Sequence, residues 1–460
     1  MRLAGFVSAL ALMAAVPALA VAAEPPAAVQ AAAPTYTAAQ FFETTSYGMA
    51  NSAGRAFSPD GRSVLITSDA TGVLNTYAMP VAGGTATPLT TSTTSAARSV
   101  SYFPNDGRIL FSQDGGGDEL DHIFVRAEDG TVTDATPGEN LKAEFMGWAK
   151  DGQTFYVMSN GRDPAAFDIV AVDATSYERR IVFQNSGAYQ PAALSPDGRW
   201  LVLDKALTSA NNDLYLADLS NPGEPRLLTQ HTGDIAYVAY DFTPDGKAVL
   251  IGTDEHGEFT QAYRHDLETG AVTPVIQADW DVMFVTYSPS GRYRVSALNA
   301  DAKTELTLLD TTTNQAVPLN GLPDGDVGSI RFNADESRIA FTVASDTSPS
   351  DVFAADLATG QTTRLTHALN PAIDEDVLVE ATIVRYPGEG GVMIPAVLYK
   401  PRGASSANPG PAIVLVHGGP GGQTRRGYSA MVQHLVNHGY TVLGANNRGS
   451  SGYGKTFFHM

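Results

Sequence analysis

Seven times along the chain a short apolar run follows a polar turn. The runs are SVLITSD, RILFSQD, TFYVMSN, WLVLDK, AVLIGTD, YRVSALN and RIAFTVASD. The turns before them read FSPDGR at Phe57, YFPNDGR at Tyr102, GWAKDGQ at Gly147, LSPDGR at Leu194, FTPDGK at Phe242, YSPSGR at Tyr287 and FNADESR at Phe332. Aligned on Gly61, Gly107, Gly152, Gly198, Gly246 and Gly291, with Ser337 in the seventh place, the copies recur every 45–48 residues. Proline presets φ for a turn, and Asp-Gly accepts the positive φ that closes a hairpin. A third piece with its own turn follows in several copies, as in DLYLADLSNPG at Asp213 and DVFAADLATG at Asp351. About four strands per unit and a period in the mid-forties predict an all-β, seven-bladed β-propeller over residues 50–370. A stacked solenoid is the other architecture with such a period.

After residue 370 the pattern changes. VEATIVRYP and VMIPAVLYKP read as two strands split by GEGG at Gly388. AIVLV from Ala412 is a continuous apolar run, as in a buried parallel strand, and TVLGAN from Thr441 is another. Residues 424–437 between them read as a helix closed by HGY at His438. Two strands followed by strand, helix and strand predict the N-terminal part of an α/β-hydrolase domain over 371–460. At the other end, Arg2 and the apolar stretch after it lead to Ala18-Leu19-Ala20, the pattern of a cleaved secretory signal over 1–23. An Ala- and Pro-rich tether and lead-in would then fill 24–49.

The chemistry sits where AIVLV runs into HGGPGG (417–422). Paired glycines after a strand let the backbone turn sharply and expose N–H groups to a reacting carbonyl, as in the loop that gives an α/β-hydrolase one oxyanion donor. One helix and one strand further on comes NNRGSSGYG from Asn446. The repeats and these two motifs together resemble the prolyl oligopeptidase family of serine peptidases, most closely its acylaminoacyl-peptidase-like branch. TAAQFFE at Thr37 is similar to that family's lead-in. The resemblance implies a peptidase acting on oligopeptides, with the propeller gating access to the active site. Where some branches place a tyrosine hydroxyl before the Gly-Gly pair, this chain has His417. The oxyanion donor implied is then a backbone N–H, that of Gly419, with Gly418 beside it. His417 is not the triad histidine, which follows the nucleophile and acid in this fold. Arg448 and Tyr453 are expected to shape their loop rather than touch substrate.

No G-x-S-x-G elbow occurs anywhere in the sequence; GYSAM at Gly427 lacks the second glycine, and Ser450 and Ser451 lie outside the pattern. The nucleophile, the acid and the triad histidine are therefore expected beyond Met460, with the chain as given inactive and the AIVLV strand left with an open edge.

A net charge of −20 argues against nucleic acid and anionic lipid as partners. The absence of cysteine excludes a disulfide framework and a lipid-modified cysteine. With the signal removed, a periplasmic protein without membrane insertion is expected. The carboxylate clusters DGGGDELDH (114–122) and DEHGE (254–258) match no metal-ligand spacing and read as blade-edge loops, the alternative role being a contact with substrate. No cofactor and no metal are expected. The other function class is a non-catalytic periplasmic propeller that binds peptides or proteins, which would have no use for the two glycine-rich motifs. An esterase would share the glycine loop but not the propeller.

Overall fold

A computed structural model describes residues 34–221, 223–419 and 421–460. The expected signal and almost all of the tether lie outside the described residues. The body of the chain is a propeller of four-stranded antiparallel sheets. Eight four-stranded sheets occur among the described residues, and seven are meanders in which consecutive strands pair with their chain neighbours. These span 47–88, 98–134, 143–183, 190–227, 237–276, 281–316 and 326–364.

The turns of the first, fourth and fifth sheets show why those copies fold alike. Ser58 Oγ donates to Asp60 at 2.6 Å while Asp60 also accepts the Arg62 amide at 3.1 Å. Ser195 with Asp197 and Thr243 with Asp245 repeat the arrangement, at 2.5 and 2.6 Å. In the first and fourth sheets the strand that follows the turn is deeply buried: Val64, Leu65 and Ile66 are fully enclosed, as are Leu201, Val202 and Leu203. Such apolar runs exclude water on both sheet faces, which is where the hydrophobic stabilisation of the ring concentrates.

The ring closes without a shared strand. Each sheet is made of four consecutive strands, so the first and seventh meet by side-chain packing rather than by strand pairing. Ala340, Val352 and Ala354 of the seventh join Val64, Leu65 and Ile66 of the first in one core. Arg331 Nη2 adds a hydrogen bond to the Ala50 carbonyl at 3.2 Å.

The seventh turn corrects the alignment. The left-handed position there is Glu336 (φ 54°), whose amide donates to Asn333 O as that of Gly61 does to Ser58 O. Ser337, aligned with the glycines by sequence, sits one residue too far along. Glu336 occupies a glycine-type conformation because its carboxylate is fixed from outside the turn. It accepts Ser288 Oγ at 2.9 Å, the Ser290 amide at 2.7 Å and Ser290 Oγ at 2.5 Å, tying the seventh sheet's turn to the sixth's.

The eighth sheet is mixed, in the order Thr382–Pro387, Met393–Tyr399, Thr441–Ala445, Ala412–Val416. Only the last pair is parallel, and the helix Ala430–Asn437 lies between its two strands in the chain. That helix is shorter than the sequence predicted. Ser429 caps it by accepting the Val432 amide, and the preceding 424–429 is irregular because its side chains and backbone bond to the propeller instead. AIVLV is parallel as expected but not buried: it is the sheet's edge, with Val414 and Val416 60% and 67% exposed. Nothing among the described residues covers that face.

The lead-in forms a short helix, Ala38–Phe42, with a Thr37–Gln40 capping box. Its Phe41 is fully buried and meets His434 edge-on, ring centres 5.7 Å apart. Among the described residues no helix is long and apolar enough to cross a membrane.

Candidate functional site

The glycine motif leaves the C-terminal end of the strand Ala412–Val416. Gly419 is exposed with φ 65°, a conformation that costs an L side chain energy and leaves glycine as the natural occupant. The Gly422 amide returns to the Gly419 carbonyl at 3.3 Å and closes the turn. Gly418 is exposed too, and neither its amide nor that of Gly419 donates to any described residue. Two free N–H groups at the end of a parallel strand can bind an oxygen bearing negative charge.

The second motif supports the first. Asn446, fully buried, accepts the Thr424 amide at 2.7 Å and donates back to the Thr424 carbonyl at 3.0 Å. It also bonds Tyr453 Oη at 3.0 Å. His417 Nε2 lies 2.7 Å from Ser450 Oγ, and the Ser451 amide donates to the Gly422 carbonyl at 3.1 Å. The loop-shaping role expected for Tyr453 fits these contacts, and burial raises its phenol pKa. Arg448 points away, to the exposed Glu389 at 3.2 Å.

The propeller reaches this site from three adjacent sheets. From the fifth, Glu258 accepts the amide and hydroxyl of Thr456, both at 2.8 Å, and these bonds lower its pKa. From the sixth, Asn299 donates to Gln423 at 2.8 Å and accepts from Arg425, which also bonds Thr304 at 2.8 Å. From the seventh, buried Asp346 takes Arg426, the Gly427 and Ala381 amides and the Tyr399 hydroxyl. Burial, followed by the charge of Asp346, raises the Tyr399 pKa, so that hydroxyl keeps its proton and donates.

The two carboxylate clusters thus differ. DEHGE is not simply a solvated loop, since Glu258 fastens the chain around 455–456. In DGGGDELDH, Asp118 accepts the Gly115 and Leu120 amides of its own loop, Asp121 pairs with Arg98 at 3.6 Å, and His122 pairs with Asp134 at 2.7 Å. No group of three or more His, Asp or Glu side chains among the described residues could hold a metal ion. Asn299, Asp346, Gln423, Arg425 and Asn446 were missed from sequence. Only Asn446 carried a signal, as a polar residue ending an apolar strand.

Comparison with known proteins agrees with this architecture. The family described as "Prolyl oligopeptidase, N-terminal beta-propeller domain" matches residues 90–368. Dipeptidyl aminopeptidase BIII of Pseudoxanthomonas mexicana is 26% identical over 430 residues, covering 89% of this chain and 61% of that protein. The uncharacterized peptidase YuxL of Bacillus subtilis (strain 168) is 25% identical over 444 residues, covering 90% of this chain and 64% of its own length. The chain therefore spans less than two thirds of the length of these relatives. A puromycin-hydrolyzing peptidase of Mycobacterium tuberculosis shares the fold, with a TM-score of 0.74 at 16% identity over 93% of this chain and 69% of that one.

Proposed function

The chain belongs to the prolyl oligopeptidase N-terminal propeller family, and on that premise we propose that it supplies the propeller and half the oxyanion hole of a serine peptidase acting on oligopeptides. The observation that carries this reading is the pair of exposed, unbonded amides of Gly418 and Gly419 at the end of a parallel strand.

In this reading the seven meanders are seven blades, and 371–460 opens an α/β-hydrolase domain. A serine Oγ attacks the scissile carbonyl, and the Gly419 amide, with Gly418 beside it, stabilises the oxyanion that forms. The second donor comes from the residue after the nucleophile. The triad histidine takes the serine's proton and returns it to the leaving amine as the intermediate collapses, which leaves an acyl-enzyme that water resolves. A single donor of this kind is worth about 2.7–4 kcal/mol in the transition state. The sequence to Met460 carries no G-x-S-x-G, so the chain as given supplies a donor without its nucleophile. The open edge of Ala412–Val416 is where the strand leading to the nucleophile would pair. The blades gate entry, which restricts substrates to oligopeptides, and export to the periplasm completes the reading.

The test is a fluorophosphonate label on the protein as its source makes it, with the intact mass read in the same experiment. Labelling on a serine of a longer chain is expected. A natural protein of no more than 460 residues that takes no label would overturn the proposal and leave a peptide-binding propeller.

A further inference from the structure

We infer that His417 and Ser450 are positioning residues for the Gly418–Gly419 amides, a role that rests on the peptidase reading above. The pair looks like a nucleophile and its base, and the geometry rules that out. Ser450 is completely buried. Its hydroxyl donates to the Asn447 carbonyl at 2.6 Å, which commits its only proton. Ser450 Oγ therefore accepts from His417, and the imidazole carries its proton on Nε2. His417 is thus a donor to Ser450 rather than its base, and its Nδ1 faces the Gly418 carbonyl at 3.4 Å, so the pair is not an activated nucleophile.

What the pair does instead follows from where it holds the chain. Residues 446–451 grip 417–424 at three points: His417 by Ser450, Gly422 by the Ser451 amide, and Thr424 by Asn446. Gly418 and Gly419 lie between the first and second grips, with their amides unbonded. A short glycine turn is conformationally loose, and an oxyanion donor works only within about 2.7–3.1 Å of its target. Fixing the turn at His417, one residue before the donors, removes that looseness without using the donating groups. The sheet pairing ends at Val416, before the turn, so the pairs of the strand do not reach Gly418 and Gly419.

The experiment uses the protein expressed from its full natural reading frame and a peptidyl p-nitroanilide. Ser450→Ala and His417→Phe are expected to lower kcat about 100-fold, the usual cost of a donor misplaced by about an ångström. KM should stay within about twofold. His417→Gln, which keeps an N–H donor, should recover part of the loss. Hydrogen–deuterium exchange over 417–422 should rise in Ser450→Ala and His417→Phe and return towards wild type in His417→Gln. Wild-type kcat and exchange in a folded Ser450→Ala protein would overturn the inference. So would a folded His417→Gln protein as impaired as His417→Phe, which would show that the ring itself is needed. If the wild type neither hydrolyses substrate nor takes the phosphonate label, the peptidase reading fails, while the exchange data still decide whether the clasp orders the turn.

Discussion

Asp346, fully buried at the end of the seventh sheet, is closed by Arg426, whose Nε and Nη2 donate to the same carboxylate oxygen at 2.9 and 2.5 Å. The Ala381 and Gly427 amides and the Tyr399 hydroxyl complete its shell at 3.0, 2.9 and 2.8 Å. Removing one partner of a buried pair strands the other, at about 3–5 kcal/mol. Asp346→Ala is expected to lose that much in chemical denaturation, and Tyr399→Phe about 1 kcal/mol. A near-neutral Asp346→Ala would mean that these contacts do not hold the eighth sheet to the propeller.

Gly452 marks the junction with the sixth sheet. A Cβ there would stand 2.5 Å from both Asn299 Nδ2 and Gln423 Nε2, on a backbone with φ 83°. Gly452→Ala is expected to cost about 1–3 kcal/mol and to raise proteolysis of 423–428. Unchanged proteolysis would show that Asn299 and Gln423 can part without loss.

Glu258 makes the fifth-sheet contact dependent on pH. Its bonds to Thr456 lower its pKa in the folded protein, so the contact contributes fully above the usual glutamate range and is lost as pH falls through the lowered value. Hydrogen exchange over 454–460 should therefore rise on acidification. Glu258→Gln should reproduce the rise at neutral pH, and protection that persists in that variant would remove the carboxylate from the account.

Glu336 holds a left-handed backbone in exchange for three bonds to the sixth sheet's turn. Glu336→Ala loses the bonds and keeps the strain, an expected cost of about 1.5–3 kcal/mol. Glu336→Gly relieves the strain and should fall about 1 kcal/mol short of that cost. Equal melting temperatures for the two variants would contradict this division.

Val416, two thirds exposed on an unpaired edge, invites association between chains. In the 460-residue chain Val416→Lys is expected to reduce light scattering on heating without changing the circular dichroism. Scattering equal to that of the parent would mean that association starts elsewhere.

The turns were legible because their chemistry is local: Ser58 and Asp60 lie two residues apart and bond each other. The same local reading slipped by one residue at the seventh turn, where a distant pair of serines lets Glu336 replace glycine. HGGPGG was legible for a similar reason, since glycine spacing after a strand prescribes a turn. Its supports were not. Asn299 and Gln423 are 124 residues apart, and Glu258 and Thr456 are 198 apart, and single polar residues in blade loops carry no pattern. The helix was drawn too long although Gly427 and the cap residue Ser429 mark a later start, and 424–429 spends its polar groups on the propeller. AIVLV reads as buried because its composition suits a strand covered on both sides, which an edge position does not provide.

The docking of the lead-in has a consequence for synthesis. The Tyr36 amide bonds Asn437, 401 residues later, and Phe41 is covered by the same helix. At roughly 5–20 residues per second, the lead-in waits about 20–80 seconds after translation before its partner exists. Every sheet of the propeller can pair as it emerges, because each is made of consecutive strands. The Ala38–Phe42 helix cannot dock until residue 437 has been made, so its burial follows the synthesis of every propeller sheet, and Phe41 is an apolar surface a chaperone would find exposed until then.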